Sequence, residues 1–276
     1  MYRFAHDAMA CTFEAILVAG DPRYAAQAAE AVWDEVDRLE AALSRYREGS
    51  EVWQVNAAAG GDWVRVGVDL LACLDVARRV AAVTDRAFDV MFDSGADAAG
   101  VGLAVLQVDA DHHAVGLRAD GAVLDLGGVA KGYALDRAAA VLADWGLTRG
   151  LVHAAESTVL ALPGGDAPHR LDIRDPTGER DTLQAVPLPP GRAVAGSGVD
   201  RQGAHIRDPR TGQPATGRRG AWSIADDAAT ADALSTAYQV LDEAAIAAAC
   251  DTRPGVGGMV MRADGGVARF GGWPSP

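Results

Sequence analysis

The chain has 276 residues, 49% hydrophobic and 23% charged, with 25 Lys and Arg against 38 Asp and Glu for a net charge of −13. That length suffices for a substantial core, as one large domain or two modest ones. The acidic balance excludes a general nucleic-acid or acidic-membrane binder, which needs a basic footprint, so a polyanion would have to be met by locally supplied positive charge.

Taken in chain order, Phe13 to Val18 reads as a strand and Asp21-Pro22 as the turn out of it. Tyr24 to Ser44 predicts a long helix with Ala28, Val32, Val36, Leu39 and Leu43 on one face and Glu30, Asp34, Glu35 and Arg38 largely off it. Ser44 and Tyr46 fall just past its end, and Ser50-Glu51 reads as the cap of a short helix. A Gly/Ala loop from Ala57 to Asp62 leads to a second long helix, Val68 to Val83, with Leu71, Leu74, Val76 and Val80 apolar. Thr84 to Asp97 is turn-like and acid-rich and resembles a site more than a core. Val101 to Ala122 reads as two short strands around Asp109 to His113, with His112 and His113 as turn residues.

The stretch from Val123 to Trp145 carries the first chemical signal. An apolar run ends in Asp125, a Gly127-Gly128 turn follows, and Leu135, Ala138, Ala139 and Leu142 then recur at helical spacing with Lys131 in the first turn. Strand, glycine turn and helix N-terminus suit an anion, because unpaired N–H groups and the positive end of the helix dipole face outward. It is neither a Walker A loop nor GxGxxG. The residues also fit a tight strand-to-helix connection with a solvated lysine, and taken alone they leave both readings open.

Strand candidates crowd the second half: Gly150 to Ala154 running into a loop at Glu156, Leu171 to Arg174, Leu183 to Leu188, Ala193 to Ala195, Ala204 to Arg207 and Trp222 to Ala225. Ile173 to Gly178 and Ile206 to Gly212 echo each other as strand ends closed by an Asp-Pro turn. Ala229 to Asp242 predicts a helix continuing to Cys250, and Gly257 to Phe270 a hairpin across Ala263 to Gly266. Helices first and strands later favour an α+β fold with a largely antiparallel sheet. No linker marks a boundary, so the expectation is a single domain over 1–276. Cys11, Cys73 and Cys250 are widely spaced without CxxC and fit a reducing compartment. No leader-like N-terminus or membrane-length segment is visible in the chain, so the expectation is a cytoplasmic protein.

The second signal is Asp232 and Thr236, which share a face at i, i+4. One carboxylate and one hydroxyl are hard oxygen ligands of the kind Mg²⁺ accepts; the alternative is a first-turn acid complementing the dipole and a packing threonine. Beside the Gly-Gly-Val-Ala-Lys turn, the pair describes a site that handles a pyrophosphate.

With these residues in view the chain resembles the FAD:protein FMN transferases, the ApbE family. The resemblance runs through Met9 to Thr12, Ser44-Arg45-Tyr46 with Ser50-Glu51 and Asn56, Ala87-Phe88-Asp89, Asp125 to Tyr133 (DLGGVAKGY), Ser197-Gly198, His205 to Gly212 (HIRDPRTG) and Ala231 to Thr236. It implies a T-fold-related α+β architecture and a Mg²⁺-dependent enzyme that splits FAD, passes FMN to a Thr or Ser hydroxyl of a protein acceptor and releases AMP. It further implies that Met9, Tyr46, Ala87, Phe88, Asp89, Asp125, Lys131 and Ile206 line the FAD site. Mg²⁺ would sit on backbone oxygens of Gly128 and Ala229 and on the side chains of Asp232 and Thr236. His205 is a candidate base, or else a residue ordering the Asp-Pro turn that follows it. Two features depart from the family pattern. Ala155-Glu156-Ser157 stands where many members carry Gly-Gly, and the segment from Asp89 to Val123 is short. They keep two alternatives open, a flavin-binding protein without transferase activity and an FAD pyrophosphatase giving FMN and AMP.

Overall fold

The computed structural model describes residues 1–93, 102–198 and 206–275. In chain order the elements are β1 (Tyr2–Ala8), β2 (Cys11–Leu17), α1 (Pro22–Leu43), α2 (Glu51–Ala57), β3 (Val64–Arg65), α3 (Val68–Val83), a 3₁₀ turn (Gly102–Ala104), β4 (Leu106–Asp109) and β5 (Ala114–Leu117). They continue with α4 (Ala130–Asp144), β6 (Gly150–Ala154), β7 (Thr158–Ala161), β8 (His169–Arg174), β9 (Thr182–Leu188), β10 (Ala193–Gly198), β11 (Arg218–Ala225), α5 (Ala228–Tyr238), α6 (Glu243–Asp251), β12 (Gly257–Arg262) and β13 (Val267–Gly271).

An eight-stranded antiparallel sheet in the order β1-β2-β6-β7-β10-β11-β12-β13 forms the frame. The α+β expectation holds, with one addition: β1 and β2, from the N-terminus, build one end of this sheet. Along β2, Phe13, Ala15 and Leu17 are buried while Thr12, Glu14 and Ile16 alternate to the more open side. Helices α1, α3, α4 and α5 share the larger core with that face. On the opposite face Ile173, Val186 and Leu188 of the β8–β9 hairpin pack with Val194, Ile224, Met259 and Trp273 in a second cluster.

Helix α1 starts where its sequence provides for it. Asp21 accepts a hydrogen bond from the Arg23 amide at 2.8 Å, proline occupies the first turn, and the expected face from Ala28 to Leu43 is buried. Ser50 caps α2 through the Trp53 amide at 3.0 Å, as its position predicts. In α3 the core takes Leu70 and Cys73 with Leu74, Val76 and Val80, and Leu71 is left half-buried.

Three local expectations change. The apolar run before Asp125 is not a strand: Leu124 is fully buried, but its carbonyl and amide are met by the Asn56 side chain, at 3.0 and 2.7 Å. The C-terminal helix is two helices, because Asp242 caps a new one through the Ala245 amide at 2.8 Å. Of the expected strand from Ala204 to Arg207, residues 204–205 lie outside the described residues and Arg207 makes only an isolated bridge to Pro214. The Asp-Pro echo is one device used twice. Asp175 and Asp208 each accept from the amide two residues on, at 2.9 Å, and each turn closes on a left-handed glycine, Gly178 and Gly212. Among the described residues no helix is long and apolar enough to cross a membrane.

Candidate functional site

The site is organised by the crossing of α4 and α5, and a glycine sets how close they come. A Cβ on Gly132 would stand 2.2 Å from the Ala228 carbonyl oxygen and 2.7 Å from the Ala229 Cα, so only glycine lets the helices meet there. Each helix then holds the other's N-terminus. Helix α4 has no side-chain cap of its own; Asp232 of α5 supplies one, its Oδ2 accepting from the Gly132 amide at 3.2 Å. In return Asp136 of α4 accepts from the Ala228 amide at 2.8 Å and the Ala229 amide at 3.0 Å.

In this arrangement several amides of the glycine turn already have partners within the protein. The Gly127 amide donates to Asp125 at 2.8 Å, the Val129 and Ala130 amides to the Leu126 carbonyl, and the Gly132 amide to Asp232. Positive charge at this helix end comes instead from Lys131, whose Nζ donates to the Gly127 carbonyl at 2.8 Å and stands 3.9 Å from Asp232 Oδ2. Tyr133, the last residue of the DLGGVAKGY motif, faces elsewhere; its hydroxyl donates to Asp69 of α3 at 2.8 Å and ties the two helices together.

Asp232 is 4% exposed. Because α5 begins at Ala228, it lies beyond the first turn, so the first-turn reading does not apply. Burial pushes its carboxyl above the ordinary range, against the opposing pull of Lys131, the Gly132 amide and the Thr158 hydroxyl. Among the described residues, Oδ1 has that Thr158 contact alone, a long 3.5 Å. Around it gather Ser197 of β10, within 2.8 Å of Ser235 and 3.3 Å of Thr236 hydroxyl oxygens, and Gly128, whose added Cβ would sit 3.4 Å from Thr236 Oγ1. Gly128, Lys131, Asp232 and Thr236, far apart in sequence, thus meet, and Ala229 lies buried against Gly132 on the same helix as Asp232.

The other expected residues are distributed around this centre. Met9 sits in the β1–β2 turn, and its amide donates to Glu40 at 2.8 Å. Tyr46 is 82% exposed beneath the Arg45 guanidinium, 4.8 Å from the ring centre, and Arg45 also pairs with Asp125 at 3.3 Å. An exposed ring held from one side is available to stack on a flat ligand from the other. Ala87 and Phe88 are buried, and Phe88 would lie 2.9 Å from a Cβ on Gly128. Asp89 is buried and engaged with the Met91 amide at 2.9 Å, the Leu103 amide at 3.2 Å and Arg86 at 3.2 Å, so it shapes its loop. Ile206 is buried and accepts through its carbonyl from the Ala215 amide at 2.8 Å. His205 lies outside the described residues. Asp136 and Thr158 had no place in the sequence reading, since their partners are remote in the chain.

Ala155 opens the β6–β7 turn with φ of 50°, and Glu156 beside it pairs with Arg174 at 3.3 Å. A left-handed alanine costs roughly 1–2 kcal/mol, while glycine there adds about 0.4–1 kcal/mol of unfolded-state entropy to be lost. Ala155→Gly is therefore expected to stabilise slightly, by roughly 0–1.5 kcal/mol as the balance of those two terms, read as a small rise in melting temperature. A fall would show that the turn does not hold this conformation in solution.

The donors around Asp232 suit Mg²⁺. Among the described residues no cluster of three His, Cys, Asp or Glu side chains could hold a metal ion, which disfavours a zinc-type site. One carboxylate, one hydroxyl and backbone carbonyls are hard oxygens that suit a cation keeping several waters and binding substrate phosphates. Among the described residues the cation paired with this buried carboxyl is Lys131 at 3.9 Å, a loose pair that leaves its oxygens able to meet a second cation.

The profile of the ApbE family matches residues 9–260. The chain is similar to an FAD:protein FMN transferase from Rhodobacter capsulatus, 39% identical over 128 residues that make up 44% of this chain and 24% of that protein. It is similar to another from Klebsiella pneumoniae strain 342, 32% identical over 128 residues, 43% of this chain and 37% of that protein. These matches therefore take in about a quarter and somewhat over a third of the two relatives. An ApbE protein structure from Thermotoga maritima superposes with a TM-score of 0.85 at 27% identity, covering 98% of this chain and 96% of that one. The flavin transferase ApbE of Vibrio cholerae has the same fold, with a TM-score of 0.84 at 19% identity over 98% and 96% of the two chains.

Proposed function

Since the chain belongs to the ApbE family, we propose that it is an FAD:protein FMN transferase acting with Mg²⁺ on a Thr or Ser hydroxyl of a protein acceptor. The observation that carries this reading is the meeting of Lys131, Asp232, Thr236 and Gly128 at the α4–α5 crossing, within an otherwise acidic protein. In the reaction the acceptor oxygen bonds to the phosphorus on the FMN side of FAD, the phosphoanhydride bond breaks, and AMP departs with the bridging oxygen. The hydroxyl proton goes to a base, a role we assign to His205. Such transfer depends on positioning and charge neutralisation more than on covalent catalysis.

The chain's own residues provide for both. Tyr46, backed by Arg45, offers a face for the isoalloxazine, and Met9, the Ala87-Phe88-Asp89 loop, Asp125 and Ile206 shape the rest of the FAD pocket. Lys131 brings a cation to the pyrophosphate. Asp232 and Thr236, with backbone oxygens of Gly128 and Ala229, would hold Mg²⁺, which supplies Lewis-acid stabilisation of the phosphoryl oxygens and the leaving AMP. Of the two departures that keep a flavin binder without transfer open, Ala155-Glu156-Ser157 and the short Asp89 to Val123 segment, the first places a carboxylate at Glu156, and its ion pair with Arg174 gives that charge a partner other than the substrate.

The test is incubation with FAD, Mg²⁺ and a peptide bearing an acceptor threonine. Covalent flavin–peptide and AMP in equal amounts are the expected products. FMN and AMP alike with and without peptide would mean hydrolysis instead, and FAD bound with no AMP under any divalent metal would overturn catalysis altogether.

A further inference from the structure

The first turn of α5 is held twice over. Asp227 caps it locally, its Oδ1 accepting from the Thr230 amide at 2.7 Å, which is what a helix start of this kind needs. Asp136 adds a second carboxylate from the middle of α4, on the Ala228 and Ala229 amides. That carboxylate is costly to place: burial, with Asp227 and Asp232 nearby, pushes it up to about 7 against the pull of the two amides. Capping alone does not call for it. A groove of about 450 Å³ lined by Asp136, Tyr133, Asp227 and Arg79 runs alongside, so water has access to this side of the helix start.

What Asp136 supplies that Asp227 cannot is register between the helices. The amides it holds belong to the residues against which Gly132 packs, and Gly132 is the residue Asp232 caps in return. A shift of α5 along α4 by one residue is ~1.5 Å, far more than an octahedral oxygen site tolerates when its ligand distances hold to within about 0.1 Å. We propose that Asp136 is a positioning residue for the cation site: by fixing α5 on α4 it sets Asp232 and Thr236 opposite Gly128. This rests on the Mg²⁺ reading above.

Binding of Mn²⁺, as a probe of the Mg²⁺ site, is measured by calorimetry on the whole chain without FAD, for wild type, Asp136→Asn, Asp136→Ala and Asp227→Ala. Asp227→Ala is expected to lower the melting temperature by roughly 2–4 °C and leave Mn²⁺ affinity within about twofold, since it only removes a local cap. Asp136→Asn, which keeps the shape and one acceptor, should weaken Mn²⁺ by roughly 10-fold, and Asp136→Ala by up to about 100-fold, as orienting groups behind metal ligands do. In AMP release the same loss should appear as a raised metal requirement, largely restored at high Mg²⁺. If Asp136→Ala does not fold, Asp136→Asn carries the comparison. Unchanged Mn²⁺ affinity in Asp136→Asn, or an equal loss in Asp227→Ala, overturns the positioning role while leaving the cation site standing. A wild-type chain that binds no Mn²⁺ and releases AMP without divalent metal removes the site and this inference with it.

Discussion

Asp232→Ala is expected to reduce AMP release by roughly 100-fold or more, because a bound cation contributes several kcal/mol to stabilising the reacting phosphoryl group, while the metal-free protein stays folded. Two opposing effects bear on stability. The substitution removes the side-chain cap that Asp232 gives α4, which costs about 0.5–2 kcal/mol. It also removes a carboxyl whose charged form burial disfavours, so part of that cost is returned. Asp232→Asn keeps an acceptor for the Gly132 amide and a neutral oxygen for a metal, with no charge to balance Lys131. Both Mg²⁺ affinity and AMP release should therefore fall in the order wild type, Asn, Ala, with metal-free melting temperatures differing by only a few degrees. Full activity in Asp232→Ala, or its collapse without metal, would make the residue a structural cap and misplace the cation.

Elements whose instructions are local were legible in the sequence. The apolar face of α1, the Ser50 cap and the β12–β13 hairpin all rest on neighbours within a few turns. The site motifs were legible as residue types too: glycine pair, lysine, aspartate and threonine do meet. Strand β1 was missed because its turn, Met9-Ala10, takes two left-handed residues without the Asn or Gly that normally signals such a hairpin. The run ending at Asp125 looked like a strand because Leu124 is buried as one, yet its backbone partner is a side chain 68 positions away. The coupling between α4 and α5 was invisible for the same reason. Asp136 and Ala228 are 92 residues apart, and no periodicity records that one carboxylate holds the other's helix.

Gly132 shows how far that coupling reaches. In an exposed helix, replacing glycine by alanine gains about 1 kcal/mol, and the sequence alone would predict such a gain here. The structure reverses the sign. The new methyl would stand 2.2 Å from the Ala228 oxygen, 2.6 Å from its carbonyl carbon and 2.7 Å from the Ala229 Cα, all backbone atoms that cannot rotate aside. The helices must separate, which costs about 1–3 kcal/mol as overpacking. Separation also strains the Asp136 bonds to Ala228 and Ala229 and the Asp232 bond to Gly132, each worth roughly 1 kcal/mol. After the propensity gain is subtracted, a net loss of about 2–4 kcal/mol remains, a fall of roughly 5–15 °C in melting temperature. Gly127→Ala is the matched control, since its methyl would meet only the Asp125 carboxylate oxygen at 3.1 Å, the end of a side chain that can yield. Thermal denaturation of the two variants should therefore separate them clearly, with Gly132→Ala also the weaker in metal binding at temperatures where it is folded. Equal melting would show that α4 and α5 do not cross this closely, and the placement of Asp232 against α4 would fall with that contact.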